Sequence, residues 1–387
     1  MEQTIKLYLT QMGNNKKLQE QAGRRFEEDK TGKDGDGGNV LNGYDQVEYQ
    51  EIMGFGGAFT QASAVNFMAL SDSQRREVLE AYFDKEKGIG YNFCRLTINS
   101  CDFSTEMYSY DDTPEDYELK DFSIERDKED VIPMVLAAKE KASDLRLFAS
   151  PWSPPAWMKT NGKMDKGGFL RRECQDAWAR YTARYIKAYE EEGIPIWGVT
   201  VQNEAKAEQG WESCHYEAGE ERDFVTGYLK PAYEREGLGD KKIFFWDHNK
   251  ERVVDRSLET LCSNRARAAF DGIAVHWYSG DHFGALDVTH RLFPEKLLIA
   301  SEQCKGREEL PWESGEAYAH DIIGDLNNWV GAWTDWNMLL DENGGPDHWL
   351  DEQLHWERIT AKRQELGLEI NWKDPRFQKL MKEEGIW

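Results

Sequence analysis

Two glutamates close apolar, strand-like runs: Glu204 ends WGVTVQNE at 197–204, and Glu302 ends LLIASE at 297–302. A carboxylate at the carboxyl end of a buried parallel strand stands where α/β barrels carry their chemistry. Two such groups across one cleft suit cleavage of a glycosidic bond. One protonates the leaving oxygen, and the other stabilises or attacks the anomeric carbon. Asn203, beside Glu204, is placed to hydrogen-bond the sugar hydroxyl next to the reacting carbon. Arg95 and Asp102 bracket another strand-like run. Arg95 is suited to keeping a nucleophile ionised and Asp102 to binding a sugar hydroxyl, with a structural ion pair as the alternative. Trp152, His276-Trp277-Tyr278 and Trp333-Thr334-Asp335-Trp336 close three further runs. Sugars present C–H faces that pack on aromatic rings, so these residues read as a saccharide platform; the plainer account is core filling.

The elements that must position these residues are a repeating series. Strand-like runs occur at 53–59, 93–99, 145–150, 197–203, 242–246, 272–276, 296–301 and 331–337, with segments of helical spacing between them at 73–83, 131–142, 174–191 and 220–236. Eight strands alternating with helices predict an α/β fold, a closed (β/α)8 TIM barrel. A nine-stranded doubly wound sheet is the alternative, but it gives no reason for eight strands each to end in polar residues. The barrel is expected to span residues 51–348. Residues 1–50 hold one strand-like run at 5–9, a polar stretch and a Gly/Asp/Lys-rich flexible loop at 27–45, whereas 349–387 is charged and helix-prone.

Composition narrows the function further. With 40% hydrophobic residues and 15 Trp, 16 Tyr and 17 Phe among 387 residues, the chain has ample apolar surface to bury and is not a disordered one. A formal charge of −24 repels nucleic acid and anionic membrane surfaces. Nothing approaches a membrane span of about 20 apolar residues, so no stable membrane insertion is expected. Six cysteines lack any Cys-x-x-Cys pair and the eight His show no metal-ligand spacing, so no metal and no organic cofactor are expected. Gly54-Phe55-Gly56-Gly57 fails the dinucleotide spacing because Phe59 occupies the third glycine position; a turn that lets the first strand pack closely is expected there. The start, Met1-Glu2-Gln3-Thr4, lacks the pattern of a secretion signal, which points to a cytoplasmic protein, or a secreted one if a signal was removed.

The stretches GFGGAFT (54–60), NSCDFS (99–104), SPWSPPAWMKTNG (150–162), VTVQNE (199–204), WESCHY (211–216), HWY (276–278), ASEQC (300–304) and TDWNMLLDENGGP (334–346) resemble glycoside hydrolase family 30, the glucosylceramidase-like retaining β-glycosidases of carbohydrate and sphingolipid metabolism. The resemblance implies Glu204 as acid/base, Glu302 as nucleophile, and substrate-subsite roles for Asp102, Trp152, Asn203, Tyr278 and Trp336. Two departures stand out. The family's acid/base glutamate is usually followed by proline, whereas here Ala205 follows it. Family members also continue into strands that complete a β-sandwich beside the barrel. Here residues 1–50 are expected to hold a reduced, incomplete sandwich, so that either the charged tail substitutes for the missing strands or apolar barrel surface stays exposed and invites self-association.

The expected reaction is a retaining double displacement on a small glycoside or oligosaccharide, a β-glucoside foremost, with β-1,6-glucan, β-xyloside and β-fucoside as other sugars and a non-catalytic saccharide-binding relative as the rival. Glu204 needs a raised pKa for its acid role, expected from partial burial and the charge of Glu302.

Overall fold

The computed structural model describes residues 4–13, 16–25, 46–305 and 311–348, together with Pro375, Arg376 and Lys379, which are helical. The predicted loop at 27–45 and nearly all of the predicted tail lie outside the described residues. The chain divides into two units, Met1–Tyr49 with Lys305–His320, and Gln50–Cys304 with Asp321–Trp387.

In the first unit, β1 (Thr4–Gln11) pairs antiparallel with β2 (Lys16–Arg25). The polar run KKLQEQAGRR was not legible as a strand. Leu7 and Tyr8 of β1 are exposed, no described side chain of the hairpin is buried, and the β2 run lacks the alternation that marks a half-buried strand.

In the second unit, β3 (Gly54–Phe59), β4 (Phe93–Ile98), β5 (Arg146–Pro151), β6 (Ile196–Thr200), β7 (Lys242–Asn249), β8 (Gly272–His276), β9 (Leu297–Glu302) and β10 (Val330–Asn337) form the predicted barrel. It closes in the order β10-β3-β4-β5-β6-β7-β8-β9, with neighbours parallel. Phe93, Phe148, Phe244, Ala274, Ile299 and Ala332 form one fully buried cluster. Two residues further along β4, β5, β8 and β10 stand Arg95, Ser150, His276 and Thr334. The period of two along a strand therefore sets a buried polar layer directly above the apolar plug.

Outside the strands, helices bury one stripe each. The helix Gln175–Glu191 buries Trp178, Tyr181, Tyr185 and Tyr189 at helical spacing. The helix Asp72–Phe83 is started by a capping box between Ser71 and Gln74. The predicted helix at 220–236 is instead two helices, Ala218–Phe224 and Lys230–Arg235, joined by a π-helical turn at Val225–Leu229.

The glycine run of β3 lies inside the strand rather than in a turn. A Cβ added to Gly56 would sit 1.9 Å from the Phe93 carbonyl oxygen of β4, so this position needs a residue without a side chain. Gly56→Ala is therefore expected to lower the unfolding free energy by about 3 kcal/mol. Denaturant titration followed by tryptophan fluorescence measures this, and an unchanged midpoint would refute the close-approach account.

Candidate active site

Strand irregularities put the chemistry where it is. Between β7 and β8 the register slips after the Trp246↔Ala274 pair, so that Asp247 is the extra residue. Both Trp246 (φ 75°) and Asp247 (φ 47°) take left-handed backbone conformations. Between β8 and β9 the register slips again, pairing His276 with Glu302 and leaving Ser301 as the extra residue. A bulge breaks strict alternation and re-aims side chains. Here it allows Ser301 and Glu302, neighbours in sequence, to reach the same polar centre. Glu204, just past β6, also has positive φ (48°), and its N–H donates to the Asp247 carbonyl at 2.8 Å.

Arg95 sits fully buried at that centre. Its Nη1 donates to Glu302 Oε2 at 2.6 Å, Nη2 to Asp247 Oδ2 at 2.7 Å and to Asn203 Oδ1 at 2.9 Å, and Nε to Ser150 Oγ at 3.0 Å. The guanidinium carbon lies 4.6 Å from the centre of the Trp152 ring, a cation–π contact. Asp247 also accepts from Thr200 Oγ1 at 2.6 Å and Ser301 Oγ at 2.5 Å, and lies 3.0 Å from His276 Nε2. Burial opposes its ionisation, but Arg95, His276 and Ser301 together hold it below the ordinary aspartate range.

The two predicted carboxylates meet in one cleft of about 370 Å³, also lined by Asp102, Trp152, Asn203, Tyr278 and Trp336. Trp152 and Trp336 stack at 5.0 Å. Asp102 Oδ1 is buried without a hydrogen-bond partner, and burial and then the charge of Glu302 push its carboxyl well up. That favours a neutral carboxyl able to donate to a hydroxyl. A larger groove of about 840 Å³ runs past Phe169, Arg171, His215 and Tyr228 and contains neither Glu204 nor Glu302; the smaller cleft is where these two converge.

Two expectations need correction. His276, read as part of the saccharide platform, is fully buried and, like Arg95, is not among the residues that line the cleft. They touch the carboxylates from beneath. The expected rise of the Glu204 pKa is also reversed. Burial would raise it, but His276, whose Nδ1 is 3.5 Å from Oε1, His248 at 3.7 Å, and Gln209 bring it below the ordinary glutamate value. Glu302 is raised, burial outweighing His276 and Arg95, with Glu204 and Asp247 adding to the rise. His276 itself is pushed up to about 9: burial would lower it, and Glu302, Asp247 and Glu204 overcome that.

Sequence reasoning missed Asp247, His248, Gln209, Trp211 and Cys304 around the two glutamates. The signal for Asp247 was available, since it follows IFFW as a strand-end carboxylate just as Glu204 and Glu302 follow their runs. His248 was not legible, because it is brought to Glu204 only by barrel closure. Ala205 is fully buried, and its carbonyl accepts from Tyr216 N–H at 2.8 Å, so the turn after Glu204 is tied down without proline.

His276 lowers both carboxyls. His276→Gln is therefore expected to shift the whole pH profile of kcat/KM for an aryl β-glucoside to higher pH, by about half a unit or more, one unit being 1.36 kcal/mol of differential interaction. A profile that stays in place or moves to lower pH would contradict this charge arrangement.

Residues 52–377 match the model of the glycosyl hydrolase family 30 TIM-barrel domain. The chain is 36% identical over 331 residues to the lysosomal acid glucosylceramidase of Mus musculus, covering 80% of this chain and 64% of that protein. It is 28% identical over 307 residues to an endo-1,6-beta-D-glucanase of Neurospora crassa, covering 77% of this chain and 62% of that protein. The solved structure of SrfJ from Salmonella typhimurium superposes with a TM-score of 0.76 at 37% identity, covering 78% of this chain and 68% of that one. The chain thus spans somewhat over three-fifths of the length of these curated relatives. With the barrel, the strand-end glutamates and this match in agreement, the chain belongs to glycosyl hydrolase family 30.

Proposed function

We propose that the protein hydrolyses β-glycosides with retention, taking a β-glucosyl residue in its cleft. The observation that carries this reading is that Glu204 and Glu302, from separate strands, line the same cleft in unlike surroundings. Glu302 accepts from Arg95 at 2.6 Å and from the Tyr278 hydroxyl at 2.9 Å, which holds one carboxylate still for attack on the anomeric carbon. Glu204 lies against His276, His248 and Gln209 and has no such clamp, which suits a group that must give up and regain a proton. The names of the relatives, a glucosylceramidase and an endo-1,6-beta-D-glucanase, both support a glucosyl substrate.

In the proposed sequence Glu302 attacks the anomeric carbon as the bond to the aglycone oxygen breaks, and Glu204 delivers its proton to that oxygen. Glu204 then takes a proton from water, which displaces the sugar from Glu302. Once Glu302 is esterified its charge is gone. The Asn203 amide oxygen is occupied by Arg95, which leaves its N–H groups as donors toward a sugar hydroxyl. Asp102, with its free oxygen, complements that contact.

Self-association is part of the same proposal. Exposed Leu7, Tyr8 and Met12 on or beside β1 support it. Sedimentation velocity would measure it, a concentration-independent monomer being the contrary result.

Glu302→Gln is expected to lower kcat for an aryl β-glucoside by about a thousandfold or more while thermal unfolding stays cooperative. Glu204→Ala should retain glycosylation by a substrate with a good leaving group and regain turnover with azide, giving a β-glucosyl azide. Substantial activity in the first variant, or no azide rescue in the second, would remove the corresponding assignment. Calorimetric binding of a glucoside by the unaltered chain without any hydrolysis would favour a saccharide-binding protein instead.

A further inference from the structure

We propose that Glu204, His248 and His276 form a binding site for a transition-metal dication of the zinc type, and that an ion held there inhibits the enzyme by using Glu204 as a ligand. Their three donor atoms all lie within 4.8 Å of one another. A single oxygen, Glu204 Oε1, stands 3.5 Å from His276 Nδ1 and 3.7 Å from His248 Nδ1. Tetrahedral zinc with bonds of roughly 2.0–2.2 Å sets its donors roughly 3.4 Å apart. Two of the three separations are therefore close to those of a bound ion, and small side-chain rotations complete the set.

Two independent features point to a ligand. The Nδ1 atoms of His248 and His276 are both buried and have no hydrogen-bond partner. The geometry leaves them facing a carboxylate at distances too long for a good hydrogen bond. The other nitrogen of His276 lies 3.0 Å from Asp247 Oδ1, and Asp247 is itself fixed by Arg95, Thr200 and Ser301. A carboxylate behind an imidazole is the usual support of a metal-ligating histidine, since it orients the ring; an ion binding there displaces the Nδ1 proton of His276, so uptake strengthens as pH rises.

The three residues come from the carboxyl ends of β6, β7 and β8, three adjacent strands, so barrel closure pre-forms the group. Glu204 and His248 line the cleft, which gives an ion a route in and leaves coordination positions open to water. Two imidazoles and one carboxylate suit Zn²⁺, Ni²⁺ or Cu²⁺ rather than the oxygen-seeking Ca²⁺ or Mg²⁺. A Glu204 oxygen bonded to the metal is unavailable to protonate an aglycone. The inhibitory half of this inference rests on the proposed role of Glu204; the binding half does not.

Isothermal titration of the full chain with Zn²⁺ tests it, using His248→Gln and the isosteric Glu204→Gln, each checked by thermal unfolding. Surface carboxylates and the exposed Cys262 also take up zinc, so the diagnostic is the difference between titrations. One site per chain is expected to be lost or weakened at least tenfold in both variants and to be kept in His282→Gln, where the substituted histidine is exposed. EDTA-reversible inhibition of aryl β-glucoside hydrolysis should appear at the zinc concentration that fills this site, and His248→Gln should shift it at least tenfold relative to that variant's own basal rate. Variant titrations that superpose on that of the unaltered chain would overturn the site. Loss of binding in the variants, with full activity of the unaltered chain at saturating zinc, would uphold the site and refute the acid/base role of Glu204.

Discussion

A guanidinium buried at the mouth of the barrel governs the rest of this structure. Arg95 is inaccessible to solvent, as is the carboxylate of Asp247, and Glu302 is nearly so. An ion taken out of water is tolerated only with its partners in place. Removing one member of such a set typically costs about 3–5 kcal/mol, because the remaining charge is left uncompensated. Arg95 therefore ties β4 to β7, β9 and the end of β6 through a fork of directed bonds that lysine would not reproduce. The same bonds fix the oxygens of Glu302 and the amide of Asn203. Fold stability and site geometry thus share one interaction.

That interaction also separates the two glutamates electrostatically. Glu302 lies on the Arg95 side, clamped by two donors, yet burial raises its pKa. Glu204 lies on the imidazole side and is lowered. The surroundings thus push the two carboxyls in opposite directions, and the proposed reaction draws its proton from Glu204. Interacting carboxyls of this kind titrate as a pair.

Much of this was legible in the sequence, and the limits have physical causes. The eight apolar runs predicted the eight strands because parallel strands buried on both faces read as continuous hydrophobic stretches. Glu204 and Glu302 stood out because each is a charge following such a run. Asp247 follows one too, but the strand was read as ending at Trp246, and the bulge that turns Asp247 inward has no simple signature in residue type. The polar strand β2 was invisible for the opposite reason, its sequence having no apolar alternation and its described side chains being exposed or half-buried. The Glu204–His248–His276 group is a property of barrel closure: three residues far apart in sequence become neighbours only because β6, β7 and β8 are adjacent. The sign of the Glu204 shift was misjudged for the same reason, since the imidazoles that set it were not placed beside it.

The most direct test of the central claim is to react the protein with a 2-deoxy-2-fluoro-β-glucosyl fluoride and locate the label by peptide mass spectrometry. The fluorine slows hydrolysis of a glycosyl ester more than its formation, so the account predicts one fluoroglucosyl group per chain, on the peptide containing Glu302 and on that side chain. A label on Glu204 or Asp102, or hydrolysis of aryl β-glucosides with inversion and no trapped ester, would contradict it.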